Sequence, residues 1–190
     1  MKHCFAIRAE NPDALMLAIG GKPVIPELTC KDASRVVWVG DIGRDTARIG
    51  DNILIAGAGM TGCETALRFL RSGRKVTLVD MLPRSELGSG SSHINAYALF
   101  NIMEEYDLDL RTETELVDVT RDFAILLHNG NEEKLNFDTI ILSLGTTVDT
   151  EAIDLLKSVV AECYVVGNSN GKAGTIWNAT ASAYDAAMVI

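Results

Sequence analysis

The sequence has no paired cysteines. Its four cysteines, Cys4, Cys30, Cys63 and Cys163, are spread over 190 residues, and no two stand at CxxC spacing. That excludes a thioredoxin-like dithiol and a zinc knuckle, and it fits isolated thiols in a reducing compartment. Histidine is equally scarce: His3, His93 and His128 are too scattered to form a ligand set, and no metal is expected. Basic charge is in deficit as well, with 17 Lys and Arg against 26 Asp and Glu and a net charge of −9. Such a surface repels phosphate backbones and anionic lipid, so neither nucleic acid nor a membrane is expected as a partner. Apolar runs stop at strand length, far short of the ~20 residues that a membrane span requires. The opening residues hold no secretory apolar core, so a cytoplasmic location is expected. GxSxG is missing too, and His93 beside Ser91 and Ser92 therefore makes no hydrolase triad.

What the sequence does have is concentrated in one stretch, Asn52-Ile-Leu-Ile-Ala-Gly-Ala-Gly-Met-Thr-Gly-Cys-Glu-Thr-Ala-Leu-Arg-Phe-Leu-Arg71. Ile53 to Ala56 read as a buried parallel strand, and Cys63, Ala66, Leu67 and Leu70 repeat at helical spacing. Between them Gly57, Gly59 and Gly62 stand at GxGxxG spacing. The first glycine suits a tight turn, the second a close approach of pyrophosphate to bare backbone, and the third close packing of helix on strand. Unpaired N–H groups and the positive dipole end of the helix would face the phosphates. A second apolar strand, Lys75-Val-Thr-Leu-Val79, ends at Asp80, where an acidic side chain accepts both hydroxyls of an adenosine ribose. The same residues also fit a plain strand-to-helix turn with Asp80 as a solvated strand end. The two readings separate on whether that carboxylate lies at the glycine turn.

Around this stretch the chain reads as follows. Residues 1–12 are expected to be a frayed lead-in. Residues 13–21 form an apolar strand ending in Gly20 and Gly21, followed by an extended segment fixed by Pro23 and Pro26. The spacing of Ala33, Val36, Val37 and Val39 predicts a short helix capped by Asp32, with residues 40–51 as a connector. Beyond Asp80, residues 83–92 read as a Gly- and Ser-rich loop rimming a site, and residues 94–106 as a helix. Short strands over 108–111, 115–120, 124–128 and 134–137, with a hairpin turn at Asn129-Gly130-Asn131, predict an antiparallel meander covering the parallel sheet. The tail holds a helix over 150–158, a strand over 163–166 and an Ala-rich helix over 175–188. Residues 138–145 repeat residues 13–20 as Asp-x-apolar-apolar-Leu-small-apolar-Gly. The repeat suggests two related nucleotide-binding halves, one nested in the other; a chance likeness between two buried strands is the alternative.

In this order the motifs resemble the pyridine nucleotide-disulfide oxidoreductase superfamily. Most similar is the C-terminal region of NADH:flavin oxidoreductases of the 2-enoate reductase and 2,4-dienoyl-CoA reductase type. The resemblance runs from Asp13 to about Ala187. It rests on residues 13–26, the glycine fingerprint with Glu64 two residues past it, residues 138–145, Gly167-Asn168, and Gly174-Thr-Ile-Trp-Asn-Ala179. It implies an α/β fold: a Rossmann-like parallel sheet with a small antiparallel meander, flanked by parts of a second, FAD-type nucleotide-binding domain. The implied domains are 1–50 and 147–190 for the FAD-type part and 51–146 for the NAD(P)H-binding part. Gly57, Gly59, Met60 and Thr61 would then hold the NAD pyrophosphate, with Gly62 completing the cofactor-binding glycines, and Asp80, with Met81 beside it, the adenosine ribose. Glu64 would lie near the nicotinamide end, and Gly145 at the dinucleotide. Gly20, Gly21, Gly167 and Asn168 would lie near FAD. Relatives usually carry Asp at the position of Asn168, which loses the charge and keeps hydrogen-bonding capacity.

The family's first GxGxxG, its flavin-bearing barrel and its iron–sulfur cysteines have no counterpart in the sequence. The implied function is therefore the NAD(P)H-binding part of a longer FAD-dependent oxidoreductase. It would pass hydride from NADH to a flavin to reduce an enoate- or enoyl-type C=C bond, with FAD- or FMN-bearing domains of the same polypeptide as partners. No residue is singled out as a general acid or base. Asp80 favours NADH over NADPH by repelling a 2′-phosphate, an effect that Arg84 nearby would soften. A non-catalytic NAD-binding module and part of a disulfide reductase of the same superfamily stay open, as does self-association.

Overall fold

The computed structural model describes residues 2–29, 35–43, 49–88, 93–171 and 174–190. Cys30, the Asp32 cap and the tip of the Gly/Ser-rich loop (residues 89–92) lie outside them. In chain order the first elements are α1 (Lys2–Glu10), β1 (Ala14–Leu17), β2 (Lys22–Pro23), β3 (Val36–Trp38), β4 (Asn52–Ala56), α2 (Met60–Arg71), β5 (Lys75–Val79) and α3 (His93–Met103). There follow β6 (Leu108–Arg111), β7 (Thr114–Val119), β8 (Phe123–His128), β9 (Asn131–Asn136) and β10 (Thr139–Leu142). The last are β11 (Thr146–Thr147), α4 (Thr150–Lys157), β12 (Glu162–Val165) and α5 (Ile176–Ala187). The chain divides into two compact units, Ile25–Gly145 on the one hand and Met1–Val24 with Thr146–Ile190 on the other. The first boundary thus falls at residue 24/25, before the 50/51 expected. The reason is β3, whose residues join the sheet of the central unit.

The central unit is built on a five-stranded sheet in the order β3-β10-β4-β5-β6, parallel throughout. Its inner strands read as near-continuous apolar runs because both faces are covered. Ile53, Ile55, Val76, Leu78 and Ile141 point to one face, against Ala66, Leu67 and Leu70 of α2 and Leu99 and Met103 of α3. Leu54, Ala56, Val79, Ile140 and Leu142 point to the other, against Val119, Ala124, Leu126 and Phe137. That second cover is the antiparallel sheet β7-β8-β9. Its β8–β9 hairpin closes through a two-residue turn with Asn129 at φ 50° and Gly130 at φ 77°, as a type I′ connection requires. Asp118, at a bulge in β7, accepts from the Thr29 hydroxyl (2.6 Å) and amide (2.7 Å), which holds its carboxyl below the usual range.

Three expectations need correction here. Residues 108–111 do not belong to the meander: β6 is the parallel edge strand beside β5. A short apolar strand carries no mark of its partner's direction. Residues 36–38 are a strand, not a helix, because β10 offers Val36 and Val37 a ladder that their β-branched side chains fit. Residues 2–10 are helical where fraying was expected; α1 packs against α4, a tertiary contact that local periodicity does not reveal.

The second unit holds two small ladders. β1 and β12 run parallel, with Leu15 opposite Cys163, and β2 and β11 pair antiparallel. Asp149 caps α4 by accepting from the Ala152 amide at 3.3 Å and lies 3.7 Å from Lys22 Nζ. Ile7, Leu17, Ile19, Ala152 and Leu156 line an apolar cavity of about 530 Å³. Among the described residues no helix is long and apolar enough to cross a membrane.

Candidate functional site

In the central unit, β4, β5 and β10 all end at one edge of the sheet, and the fingerprint residues follow them there. Such an edge, where strand order reverses, is where open α/β sheets bind ligands. Gly57 leaves β4 at φ 102°, and a Cβ on it would collide with the carbonyl oxygen of Ser143, just past β10. Gly62 packs its α-carbon onto the carbonyl oxygen of Gly57, where a Cβ has no room. Gly59 differs from both: it is exposed, and a Cβ there would meet nothing within 4 Å. It is the N-cap of α2, and no side chain caps that helix. The first amides of a twelve-residue helix therefore face the open side of Gly59. That arrangement fits an anionic group on bare backbone.

Asp80 lies at this turn. Its Oδ2 accepts from the Ala58 amide at 2.6 Å, and its Oδ1 accepts from the Leu82 amide at 2.8 Å. Each oxygen keeps a further lone-pair direction for a hydroxyl donor. The carboxylate thus binds the backbone of the residue that stands between the first two glycines. Of the other residues in the fingerprint, Met60 packs its side chain on the helix-side core and has only its amide to offer, while Thr61 and Glu64 are exposed on the first turns of α2. Met81 is exposed beside Asp80, and Gly145 follows β10 at φ 83°.

Cys63 sits beneath the same turn, with its thiol on the Ala58 carbonyl at 3.3 Å. Burial, then the nearby Asp80 and Glu64 carboxylates, push that thiol up to about 12. It stays protonated at neutral pH and is no redox nucleophile. Arg84 is paired with Glu104 at 2.7 Å, and Arg111 with Asp109 and Glu133 at 2.9 Å each, so both guanidinium groups close to Asp80 in the chain or the sheet are already engaged by carboxylates.

In the second unit, Gly20, Gly167 and Asn168 line a cavity of about 360 Å³ with Ala18, Gly174 and Ala179. The Gly167 amide donates to Ser182 Oγ at 2.8 Å, and the buried Ser169 hydroxyl donates to the Gly20 carbonyl at 3.1 Å. The Asn168 side chain lies against Gly174, in the space a Cβ there would need. Gly21 is not part of this cavity: it packs on Thr146 and Thr147 and borders the apolar cavity beside α4.

The sequence reading missed Ala58, Ser143, Ser169 and Ser182. One of these left a signal, since Ser143 fills the small-residue position of the repeated strand motif that Ala18 fills in the other copy. The others act through a backbone amide or a hydroxyl with no pattern around it.

Residues 7–173 match the family model described as pyridine nucleotide-disulphide oxidoreductase. Cinnamate reductase of Clostridium sporogenes is 26% identical over 97% of this chain, which spans 27% of that protein. Bilirubin reductase of Mediterraneibacter gnavus is 26% identical over 97% of this chain, which spans 28% of it. A solved structure of 2-naphthoyl-CoA reductase superposes with a TM-score of 0.84 at 21% identity, covering 98% of this chain and 28% of that one. The chain thus spans little more than a quarter of each, and its fold is the Rossmann-like one seen there. With nearly its whole length inside the family model, the chain belongs to the pyridine nucleotide-disulphide oxidoreductase family.

Proposed function

We propose that this chain is the NADH-binding part of a longer FAD-dependent reductase acting on an enoate- or enoyl-type C=C bond. The single observation that carries the reading is the Asp80 carboxylate on the Ala58 amide at 2.6 Å, next to a glycine turn with open space at Gly59. In this reading the backbone of Gly57, Gly59, Met60, Thr61 and Gly62 holds the pyrophosphate, and Asp80 accepts the adenosine ribose hydroxyls with Met81 beside it. Glu64 lies near the nicotinamide end and Gly145 at the dinucleotide. Gly20, Gly167 and Asn168 meet FAD at the cavity they line, with Gly21 next to Gly20 in the chain. Hydride chemistry is supplied by the cofactors when bound; the chain's part is to orient them and to keep water out. Cinnamate reductase among the relatives, named for an aryl enoate and more than three times as long as this chain, supports the substrate class and a longer polypeptide.

NADH is favoured over NADPH. Asp80 repels a 2′-phosphate, and the softening expected from Arg84 is weakened by its pairing with Glu104. Titration of the purified chain should give the tighter binding for NADH. Asp80→Ala should weaken NADH about tenfold or more, as loss of hydrogen bonds to a charged acceptor does, and should narrow the gap to NADPH. Equal or tighter binding of NADPH by the parent, or an Asp80→Ala variant with parental affinity, would refute the role of Asp80. A flavin spectrum distinguishes the remaining readings. The second unit's principal ladder has two strands, so the chain is expected to bind NADH while retaining little FAD by itself. A yellow protein would show a complete flavin site.

A further inference from the structure

His128 lies at the end of β8, and its ring contacts connect it to the loop that carries Asp80. Its Nδ1 is 3.1 Å from the Glu113 carbonyl oxygen and 3.1 Å from Thr114 Oγ1. The Thr114 hydroxyl directs its own hydrogen to the Thr112 carbonyl at 2.8 Å. Thr114 Oγ1 and the Glu113 carbonyl can therefore only accept from the ring, which assigns the proton to Nδ1. Nε2 is left to accept from the Asn129 side-chain amide at 2.9 Å. Both ring nitrogens thereby have partners.

Glu113 and Thr114 in turn hold the ribose-side loop by their backbones. The Thr114 amide donates to the Asp80 carbonyl at 2.8 Å, and the Glu113 amide donates to the Leu82 carbonyl at 3.1 Å. The Leu82 amide is the one that donates to Asp80 Oδ1. Glu113 adopts φ 51°, a left-handed conformation that a residue with a Cβ holds only when its surroundings impose it. The His128 hydrogen bond to its carbonyl is one of those constraints.

We infer that His128 is the positioning residue of the Asp80–Leu82 loop, acting through Nδ1–H on Glu113 and Thr114 to fix the carboxylate for the adenosine ribose. The inference rests on the reading of Asp80 as the ribose ligand, and a side-chain swap separates the two. An asparagine places its amide N–H where Nδ1–H stands, whereas a glutamine reaches the position of Nε2. His128→Asn should therefore keep the loop, and His128→Gln and His128→Ala should lose it.

Two measurements on the parent and the three variants decide this. Backbone hydrogen exchange at Leu82, Glu113 and Thr114 should speed up severalfold in the Ala and Gln variants and stay parental in the Asn variant. Titration with ADP-ribose, the dinucleotide without its nicotinamide, should show Kd rising roughly threefold to tenfold in the Ala and Gln variants, the scale of one net hydrogen bond. The Asn variant should stay within about twofold. Parental exchange in all three variants, or equal loosening by Asn and Gln, overturns the positioning role. Loosened exchange with unchanged ADP-ribose affinity overturns the link to ribose, and a parent that takes up neither ADP-ribose nor NADH overturns the proposed function itself.

Discussion

β10 and β1 carry one motif at two places in the chain. In β10 the four strand residues lie between β3 and β4 and are all buried. Among the described residues β1 has β12 as its one neighbour, only Leu17 of the strand is buried, and Met16 is exposed. The glycine that ends each motif behaves alike in both, at φ 77° for Gly20 and 83° for Gly145. The pattern thus specifies a strand and the left-handed turn that ends it. How much burial the strand achieves depends on strands far away in sequence.

The largest test of that contrast is a pair of truncations. Ile141→Ala in β10 should destabilise the central unit by about 2 to 5 kcal/mol, the range for deleting buried methylenes. Met16→Ala in β1 should change its own unit by about 1 kcal/mol or less. The two tryptophans allow each unit to be followed separately in urea, since Trp38 lies in β3 and Trp177 in α5. Comparable losses at the two sites would mean that β1 is better covered than its exposure indicates.

A smaller effect tests what the two copies share. A Cβ at Gly20 or at Gly145 meets nothing within 4 Å, so alanine there adds only the strain of a left-handed L-residue. Gly20→Ala and Gly145→Ala should each cost about 1 to 2 kcal/mol and agree closely. Unequal costs would break the claim that the motif ends the same way in both units. The smallest effect is chemical. Cys163, half-buried on β12, should react with a thiol reagent before Cys63, whose burial under the glycine turn keeps it protonated. Peptide mapping after brief labelling gives the order, and prior labelling of Cys63 would mean that α2 opens away from the turn.

The sequence was most legible where one residue type answers to one local demand. Gly57, Gly62 and the Asn129-Gly130 turn were readable because the backbone there needs positive φ or a missing Cβ. The strands β4, β5 and β10 were readable because burial on both faces leaves a near-continuous apolar run, with Thr77 and Thr139 the buried polar members. Asp80 was readable from its distance to the glycines. What was hidden depends on partners. The direction in which β6 pairs, the strand at Val36–Trp38 and the helix at Lys2–Glu10 are each settled by elements remote in the chain. The Ala58 amide on Asp80 was invisible for a different reason: a backbone donor leaves no trace in residue identity.

At Gly62 a single hydrogen separates α2 from the carbonyl of Gly57. The gap is therefore a matter of covalent geometry on both sides, with no rotamer to choose and nothing to repack. Drift in the surrounding core can move sheet and helix together without changing how the first amides of α2 are aimed. So long as position 62 carries no side chain, the cradle keeps its shape while the rest of the sequence remains free to vary.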